Sequence, residues 1–391
     1  PPDSVLVLEE PEIIRDRNLP EAQPHRCVAR LQAVPIQAEA DPQSLFEVAR
    51  PPQVRAVIPA NEYAVVAAAR LAQRWGLPGA GVEAALALRD KARLRELADL
   101  HGIAQPAWGV AADPEAAVRL RGRGGCVVKP ANRQASLGVT VIEPQDSDDL
   151  VRDAWHRAVR VPETGIRTSH VSPPAVLVEE RLVGPEVSVE SLVSRGAVVF
   201  ENVTAKVVQP GRFPVESGHS VPAVLAPLTR QRLAAATREL IAALGFGDGI
   251  LHAEWILVQE RPHLIECAGR MPGDHIVDLI NLAYGGDLTS DFLRVLEGVA
   301  PVRPQEPGQG AAIRFVSQQP GTVREVYGVP EVEAIDTVEE VQVVAQQGEQ
   351  VVAPQSSWQR AGHVIVTGDT GAAAAAQAED HANRIHIDTT P

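Results

Sequence analysis

The sequence predicts a multi-domain chain that begins as an α/β fold with parallel strands and continues as an α+β fold built from antiparallel hairpins. Three observations carry this expectation. The first stretch alternates short apolar runs with helical segments. From Cys126 onward the pattern changes to strands joined by tight turns, with hairpins centred near Arg195-Gly196 and Glu260. Finally, 391 residues are too many for one small core.

Taken in order, Val5–Leu8 and Val54–Ile58 read as buried strands. Asn61–Trp75 reads as an alanine-rich helix closed by Gly76. Asp90–Leu100 is the next helix, with Lys91, Leu94 and Ala98 on one face and Gly102 at its end. Asp113-Pro114 starts another with an N-cap and a first-turn proline. Cys126–Lys129 and Val139–Ile142 read as strands around the loop Pro130–Gly138. Ser147–Val159 is a helix, Gly165–Pro174 a polar loop and Val176–Glu180 a strand. Val187–Val193 and Val198–Val203 form a hairpin, Val208–Ser220 a loop and Leu228–Leu244 a long amphipathic helix. Ile250–Val258 and His263–Ala268 make a second hairpin, followed by a helix over Asp274–Ala283. Beyond residue 300, valine alternation predicts a separate layer of short strands containing an alanine-rich helix, Gly371–Arg384. No GxGxxG follows a strand, so a dinucleotide site is not expected.

Composition narrows the class. Apolar residues at 45% and charged residues at 22% are ordinary for a globular protein, and aromatics at 4% leave the core to aliphatic side chains. A net charge of −14 argues against a general nucleic-acid or anionic-membrane surface while permitting a local basic site. Cys27, Cys126 and Cys267 are scattered and odd in number, which reads as reduced thiols in a cytoplasmic protein. No closely spaced Cys/His group argues for zinc. There is no apolar run of membrane-spanning length and no signal-peptide pattern.

The strongest local signal is Leu251-His252-Ala253-Glu254 followed by Leu264-Ile265-Glu266. A hairpin pivoting on Glu260 sets Glu254 opposite Glu266, and His252 opposite Ala268 on the same face. Opposed carboxylates repel, and a divalent cation relieves the repulsion; hard oxygen ligands favour magnesium. Two glutamates on a solvated sheet face fit the same pattern. Arg270, beyond the strand end, suits bidentate binding of a carboxylate or phosphate, or an ordinary surface position. Lys129 ends an apolar run beside the loop that carries Ser136 and Gly138, and Lys91 is a second phosphate candidate; each is also readable as a solvated charge. Between Glu179 and Glu186 the chain leaves one strand and enters another. There its backbone can meet a purine edge and Glu186 can accept from ribose hydroxyls, or it is a plain Gly-Pro connection.

In order and spacing, Arg89-Asp90-Lys91, Val127-Val128-Lys129-Pro130, Glu179 to Glu186, His252-Ala253-Glu254 and Ile265 to Arg270 together resemble the ATP-grasp superfamily, and within it the carboxylate–amine ligases. The resemblance runs from about Val57 to Leu288. It implies an ATP-grasp fold with an N-terminal parallel α/β domain (1–88), a central lid subdomain (89–185), an antiparallel-sheet catalytic subdomain (186–300) and a C-terminal subdomain packed on it (301–391). It also implies roles. Lys91, Lys129 and Ser136 serve the ATP site, and Glu179 holds adenine with the backbone of Glu180 and Leu182. Glu186 binds ribose, Glu254 and Glu266 hold Mg2+ or Mn2+, and Arg270 steadies the carboxylate and the acyl-phosphate transition state. Two departures stand out: the family's asparagine between the second metal glutamate and the arginine is Ala268 here, and the loop after Lys129 is poor in glycine.

Phe213 to Pro222 is similar to the substrate loop of the ATP-grasp amino-acid ligases, and the later segments Gly321-Thr322-Val323 and Arg360-Ala361-Gly362 also resemble that group. Glu62, Lys206, Glu216 and His219 are the substrate-side candidates; a structural loop histidine is an equal reading for His219. The implied reaction is ADP-forming. A carboxylate attacks the γ-phosphate of ATP, and an amine, with both partners small molecules of amino-acid type, displaces phosphate from the acyl phosphate. Loops 130–138 and 208–220 are the expected lids. A homodimer is the default assembly. A carboxylating or formylating enzyme of biotin-carboxylase or purine-biosynthesis type, or a non-catalytic nucleotide-binding module, are the alternatives.

Overall fold

The computed structural model describes residues 3–19, 25–37, 43–161, 175–301 and 303–390, so the loop expected at 165–174 lies outside the described residues. At the N-terminus, β1 (Val5–Glu9) pairs in parallel with β2 (Val28–Ala33). The expected strand at Val54–Ile58 is not formed. It lies between Pro51-Pro52 and Pro59, which lack ladder donors. Val54 and Val57 still pack against Val34, Leu71 and Trp75, which is why the run is apolar. The helix Val65–Trp75 ends at Gly76 with a left-handed φ of 64°. The helix Lys91–His101 begins at Asp90, whose Oδ1 accepts from the Ala92 amide at 2.8 Å.

A small antiparallel sheet follows in the order β3 (Trp108–Ala111), β6 (Val176–Glu180), β4 (Cys126–Pro130), β5 (Thr140–Ile142). The helices Pro114–Leu120 and Asp148–Arg160, capped by Asp113 and Ser147, close it over a core of Ala117, Val128, Val151 and Val178.

The largest sheet has eight strands. Its outer part runs β11 (Arg261–Ala268), β10 (Gly249–Val258), β7 (Glu186–Ser194), β8 (Ala197–Val208), β9 (Glu216–Val221). It continues through β12 (Gly310–Phe315), β16 (Gly362–Gly368) and β14 (Val338–Val343). Two expectations change here. The 208–220 stretch is not one loop, because its second half is β9, pairing with β8 on one side and β12 on the other. The region after 300 is not a separate layer, because β12, β14 and β16 extend this sheet. Among the described residues of this region, β13 (Gly321–Tyr327), β15 (Gln350–Val351) and β17 (His386–Thr390) form a sheet of their own. Both differences arise from pairings between distant segments, which local pattern does not report. The helix Gly371–Ala382, capped by Thr370, packs on the C-terminal strands.

Period-two alternation decides which face of this sheet does what. Val187, Val189, Leu251, Ala253 and Trp255 point to one side and pack with Leu233, Leu240 and Leu244 of the helix Pro227–Leu244. On the opposite side, helices Ile276–Tyr284 and Leu288–Leu296 cover Leu192, Phe200 and Ile250. The remainder of that second side is polar, and it is the floor of a cleft.

Candidate active site

A cleft of about 580 Å³ lies between the small sheet and the polar face of the large one. Its floor is set by the β10–β11 hairpin. The turn residues Gln259 and Glu260 both have left-handed φ, 49° and 63°. This turn pairs Val258 with Arg261 and Trp255 with Leu264, a register centred half a residue before Glu260. A bulge at Ile265 then shifts the register, so that Glu254 faces Glu266 and His252 faces Ala268. The expected pairing is present, reached through a bulge rather than a regular ladder. The extra residue turns its carbonyl to cations: Ile265 O accepts from Arg95 at 2.8 Å and from Lys129 at 3.4 Å.

Each glutamate of this pair receives its cations on Oε1. Glu254 takes Lys206 Nζ at 2.7 Å and His252 Nε2 at 3.1 Å; Glu266 takes Lys91 Nζ at 2.8 Å. Burial alone would raise the Glu254 carboxyl, but Lys206 and His252 hold it well below the usual carboxylate range. Behind it, Glu190 is 1% exposed and accepts from Ser188, Asn202, Thr204 and His252, the last at 2.9 Å. Burial would lower His252, yet the two carboxylates on its ring nitrogens push it up to about 9, which makes it an imidazolium at neutral pH. Two carboxylates on neighbouring strands, each with Oε2 outside these contacts, form a hard-oxygen donor set that fits a divalent cation of the magnesium class. Ala268 supplies no third ligand.

Lys206 sits under three carboxylates: Glu254 at 2.7 Å, and Glu186 and Glu216 at 3.3 Å each. One cation cannot neutralise three anions. With burial, and with Glu254 and Glu216 nearby, the Glu186 carboxyl rises to about 7 despite Lys206.

The roof and back wall use the other candidates. Lys129 Nζ lies 2.8 Å from Glu179 Oε2, and Lys91 Nζ also donates to the Arg133 carbonyl at 2.6 Å. The Glu179 carboxylate is 3% exposed and is gripped by Arg95 through Nε at 2.8 Å and NH2 at 3.1 Å. It therefore organises Lys129 and Arg95 at the inner end of the cleft. The Glu180 amide donates to Ala107 O at 2.7 Å, and Glu180, Leu182 and Glu186 line the cleft. The Ser136 hydroxyl donates to Pro214 O at 2.9 Å, tying the loop after Lys129 to the 209–215 turn. Arg270 lines the cleft; its Nε donates to Glu62 at 2.8 Å, and its NH2 approaches Gln134 at 3.4 Å. Glu62 stands behind Arg270, outside the cleft wall, and also faces Arg89 at 3.8 Å. His219 Nε2 contacts Asp274 at 3.3 Å, and Asp274 receives Arg360 NH1 at 2.9 Å.

Sequence reasoning passed over Arg95, Glu190, Asp274 and Trp358, and quoted Arg360 only as part of the Arg360-Ala361-Gly362 resemblance, without a place in the site. Arg95 was within reach, since it lies one helical turn beyond Lys91 on the same face. Trp358 and Arg360 arrive from the short 3-10 turn Ser357–Gln359 that precedes β16, and no local signal links them to the hairpin.

Comparison with known proteins agrees with this architecture. Residues 123–278 match the family described as "ATP-grasp domain", and residues 314–390 match "L-amino acid ligase C-terminal domain 2". The alanine–anticapsin ligase of Bacillus subtilis (strain 168) is 27% identical over 256 residues, 60% of this chain and 52% of that protein. The alanine–anticapsin ligase of Bacillus amyloliquefaciens is 25% identical over 273 residues, 65% of this chain and 56% of that protein. The chain thus spans about half the length of these curated relatives. Among solved structures, the L-amino acid ligase from Bacillus licheniformis superposes with a TM-score of 0.76 at 19% identity, covering 99% of this chain and 98% of that one. Phosphoribosylglycinamide synthetase from Anaerococcus prevotii gives 0.66 at 15% identity, covering 98% and 99%. These two structures speak to the fold alone. The two family matches lie on the β4–β11 region and on the C-terminal strands, and the chain accordingly carries an ATP-grasp domain and an L-amino acid ligase C-terminal domain and is homologous to the alanine–anticapsin ligases.

Proposed function

We propose that this protein uses ATP and Mg2+ to activate the carboxylate of an amino acid as an acyl phosphate and couples it to the amine of a second, forming a peptide bond and releasing ADP and phosphate. The observation that carries the reading is the facing of Glu254 and Glu266 on the floor of a cleft that also collects Lys91, Lys129 and Arg270. Bound magnesium would be held by Glu254 and Glu266, where it supplies charge neutralisation for the triphosphate. Lys129 and Lys91 neutralise phosphate oxygens. Glu179 fixes Lys129 in position, and Leu182 and the backbone after Glu180 form the adenine wall with Glu186 towards ribose. Arg270, steadied by Glu62 and by the Met271 carbonyl, offers its remaining N–H groups to the substrate carboxylate.

The substrate carboxylate oxygen attacks the γ-phosphorus of ATP and ADP leaves. The amine nitrogen then attacks the acyl carbon, phosphate leaves, and the amine proton passes to solvent or to a neighbouring carboxylate. The Ser136–Pro214 contact supports the two flanking loops closing together over the water-labile intermediate. Lys206, Glu216, His219 and Asp274 form the wall on the amino-acid side. Among the described residues no helix is long and apolar enough to cross a membrane, and the three free cysteines support a cytoplasmic setting. The test is a screen of amino-acid pairs for ADP and phosphate release with mass detection of the dipeptide. Peptide formation that Glu266→Gln abolishes supports the reading; pair-independent ATP hydrolysis, or none at all, overturns it.

A further inference from the structure

The structure brings together a second group of ligand-type side chains, beside Asp274 and outside the residues that line the cleft. His275, Glu340 and His363 each place one ligand atom within 4.8 Å of the others. They come from three separate elements. His363 is a buried residue of β16. Glu340 lies on the neighbouring β14, where Gln342 pairs with His363, so Glu340 is the same-face diagonal neighbour of that histidine. His275 caps the helix Ile276–Tyr284 from a left-handed conformation, φ 59°. We propose that His275, His363 and Glu340 bind one zinc ion, separate from the nucleotide cleft, which fastens the turn before this helix to the C-terminal strands.

The geometry resembles a ligand set rather than an incidental contact. The two imidazole rings have centroids 4.4 Å apart and are tilted by 42°, and His363 Nε2 is 3.2 Å from Glu340 Oε1. Two imidazoles this close are unfavourable if both are charged, and a metal requires both to be neutral. His275 also has the outer partner that metal-bound histidines use. Its Nδ1 lies 2.9 Å from Asp278 Oδ2, an arrangement that fixes the tautomer and leaves Nε2 for the ion. Two imidazoles and one carboxylate suit zinc, and the adjoining cavity of about 470 Å³ offers room for a water in the fourth position. The consequence reaches the cleft through the chain itself. Asp274, the residue before His275, receives Arg360 and contacts His219, and all three line the cleft. An ion on His275 would therefore hold the segment from Arg270 to Asp274 against strands β14 and β16.

The proposal stands apart from the nucleotide chemistry, so its test reads metal directly. Full-length protein is stripped with chelator and titrated with Zn2+ in excess Mg2+, and with Co2+ followed by visible absorption. One equivalent of zinc should bind at micromolar concentration or tighter, and Co2+ should give the intense d–d bands of a low-coordinate site. His275→Ala should weaken zinc binding by at least about 100-fold, and Asp278→Asn by about 10-fold through the outer contact. Glu340 is exposed, so Glu340→Gln tests the same site with little risk to the fold, and it too should weaken binding. Glu266→Gln should leave zinc binding unchanged. Millimolar binding only, equal affinity in wild type and all three site variants, or loss of the cobalt spectrum in Glu266→Gln alone would each overturn the assignment.

Discussion

Glu179→Gln isolates what the innermost charges of the cleft contribute. Glu179 is 3% exposed and is the shared anion of Arg95 and Lys129, at 2.8 Å each. The amide keeps the shape and removes the charge, so two buried cations remain with no carboxylate between them. Removing one partner of a buried ion pair costs about 3–5 kcal/mol. A second route gives the same order. Burial would raise this carboxyl, but Lys129 and Arg95 bring it down to about 2. A depression of that size corresponds to about 3 kcal/mol. The sign follows from proton binding. The folded pKa is depressed, so the stabilisation is present above the unfolded value near 4.5 and is lost as pH falls towards 2. Urea unfolding at pH 7 should therefore show a loss of about 3–5 kcal/mol for Glu179→Gln, and its stability should be flatter than wild type below pH 4.5. Adding Arg95→Met removes one of the stranded cations, so the double variant should be less destabilised than the sum of the singles. A loss under about 1 kcal/mol, or strict additivity with Arg95→Met, refutes the view that this trio is a coupled buried network.

Glu266→Gln should keep the urea midpoint of wild type while ADP release falls by at least about 100-fold, as expected for a group acting on the transition state; near-normal turnover would remove its metal role. His252, pushed up to about 9, stabilises the fold fully below its unfolded value near 6.5, and this contribution is lost as pH rises through 9. In chelator, His252→Gln should flatten the pH 6.5–9 limb of stability, and an unchanged limb would show that the ring is not charged there. Gly184→Ala would place a Cβ 2.3 Å from Leu257 O, so it should lift the 182–186 connection off β10 and raise the KM for ATP more than it lowers kcat. Buried Cys126, whose thiol burial pushes up to about 11, and buried Cys267 should react with a thiol reagent at pH 8 only on unfolding; rapid labelling of both in the native protein would contradict their packing.

Much of the fold was legible because capping and alternation are local properties. Asp90, Asp113 and Ser147 begin their helices as the sequence indicates, and Gly76 and Gly102 end theirs in left-handed conformation. The same locality explains the failures. Glu216–Val221 looks like loop because its neighbours are Pro, Gly and charge, and it becomes a strand only through β8 and β12. The apolar 54–58 run advertises packing, which it has, and a ladder, which its flanking prolines do not support. In the site, the carboxylate pair and the lysines could be named from spacing. The Glu190 network behind Glu254 could not: the β7–β8 hairpin was expected, but the register shift between Leu192 and Val193 that sets Glu190 opposite Asn202 is not visible in the pattern. His275 and His363 are equally remote in sequence, so spacing rules for zinc pass over them.

The bulge at Ile265 separates two lengths that a regular hairpin would tie together. Between Glu254 and Glu266 the turn can gain or lose residues in pairs while both carboxylates stay above the same floor. A single-residue deletion within either strand, other than of Ile265 itself, would rotate one of them into the layer packed under the helix Pro227–Leu244. Homologues or designed variants should therefore vary this β-arm by even steps, and an odd step should appear only with loss of the bulge or with a second irregularity that restores the facing.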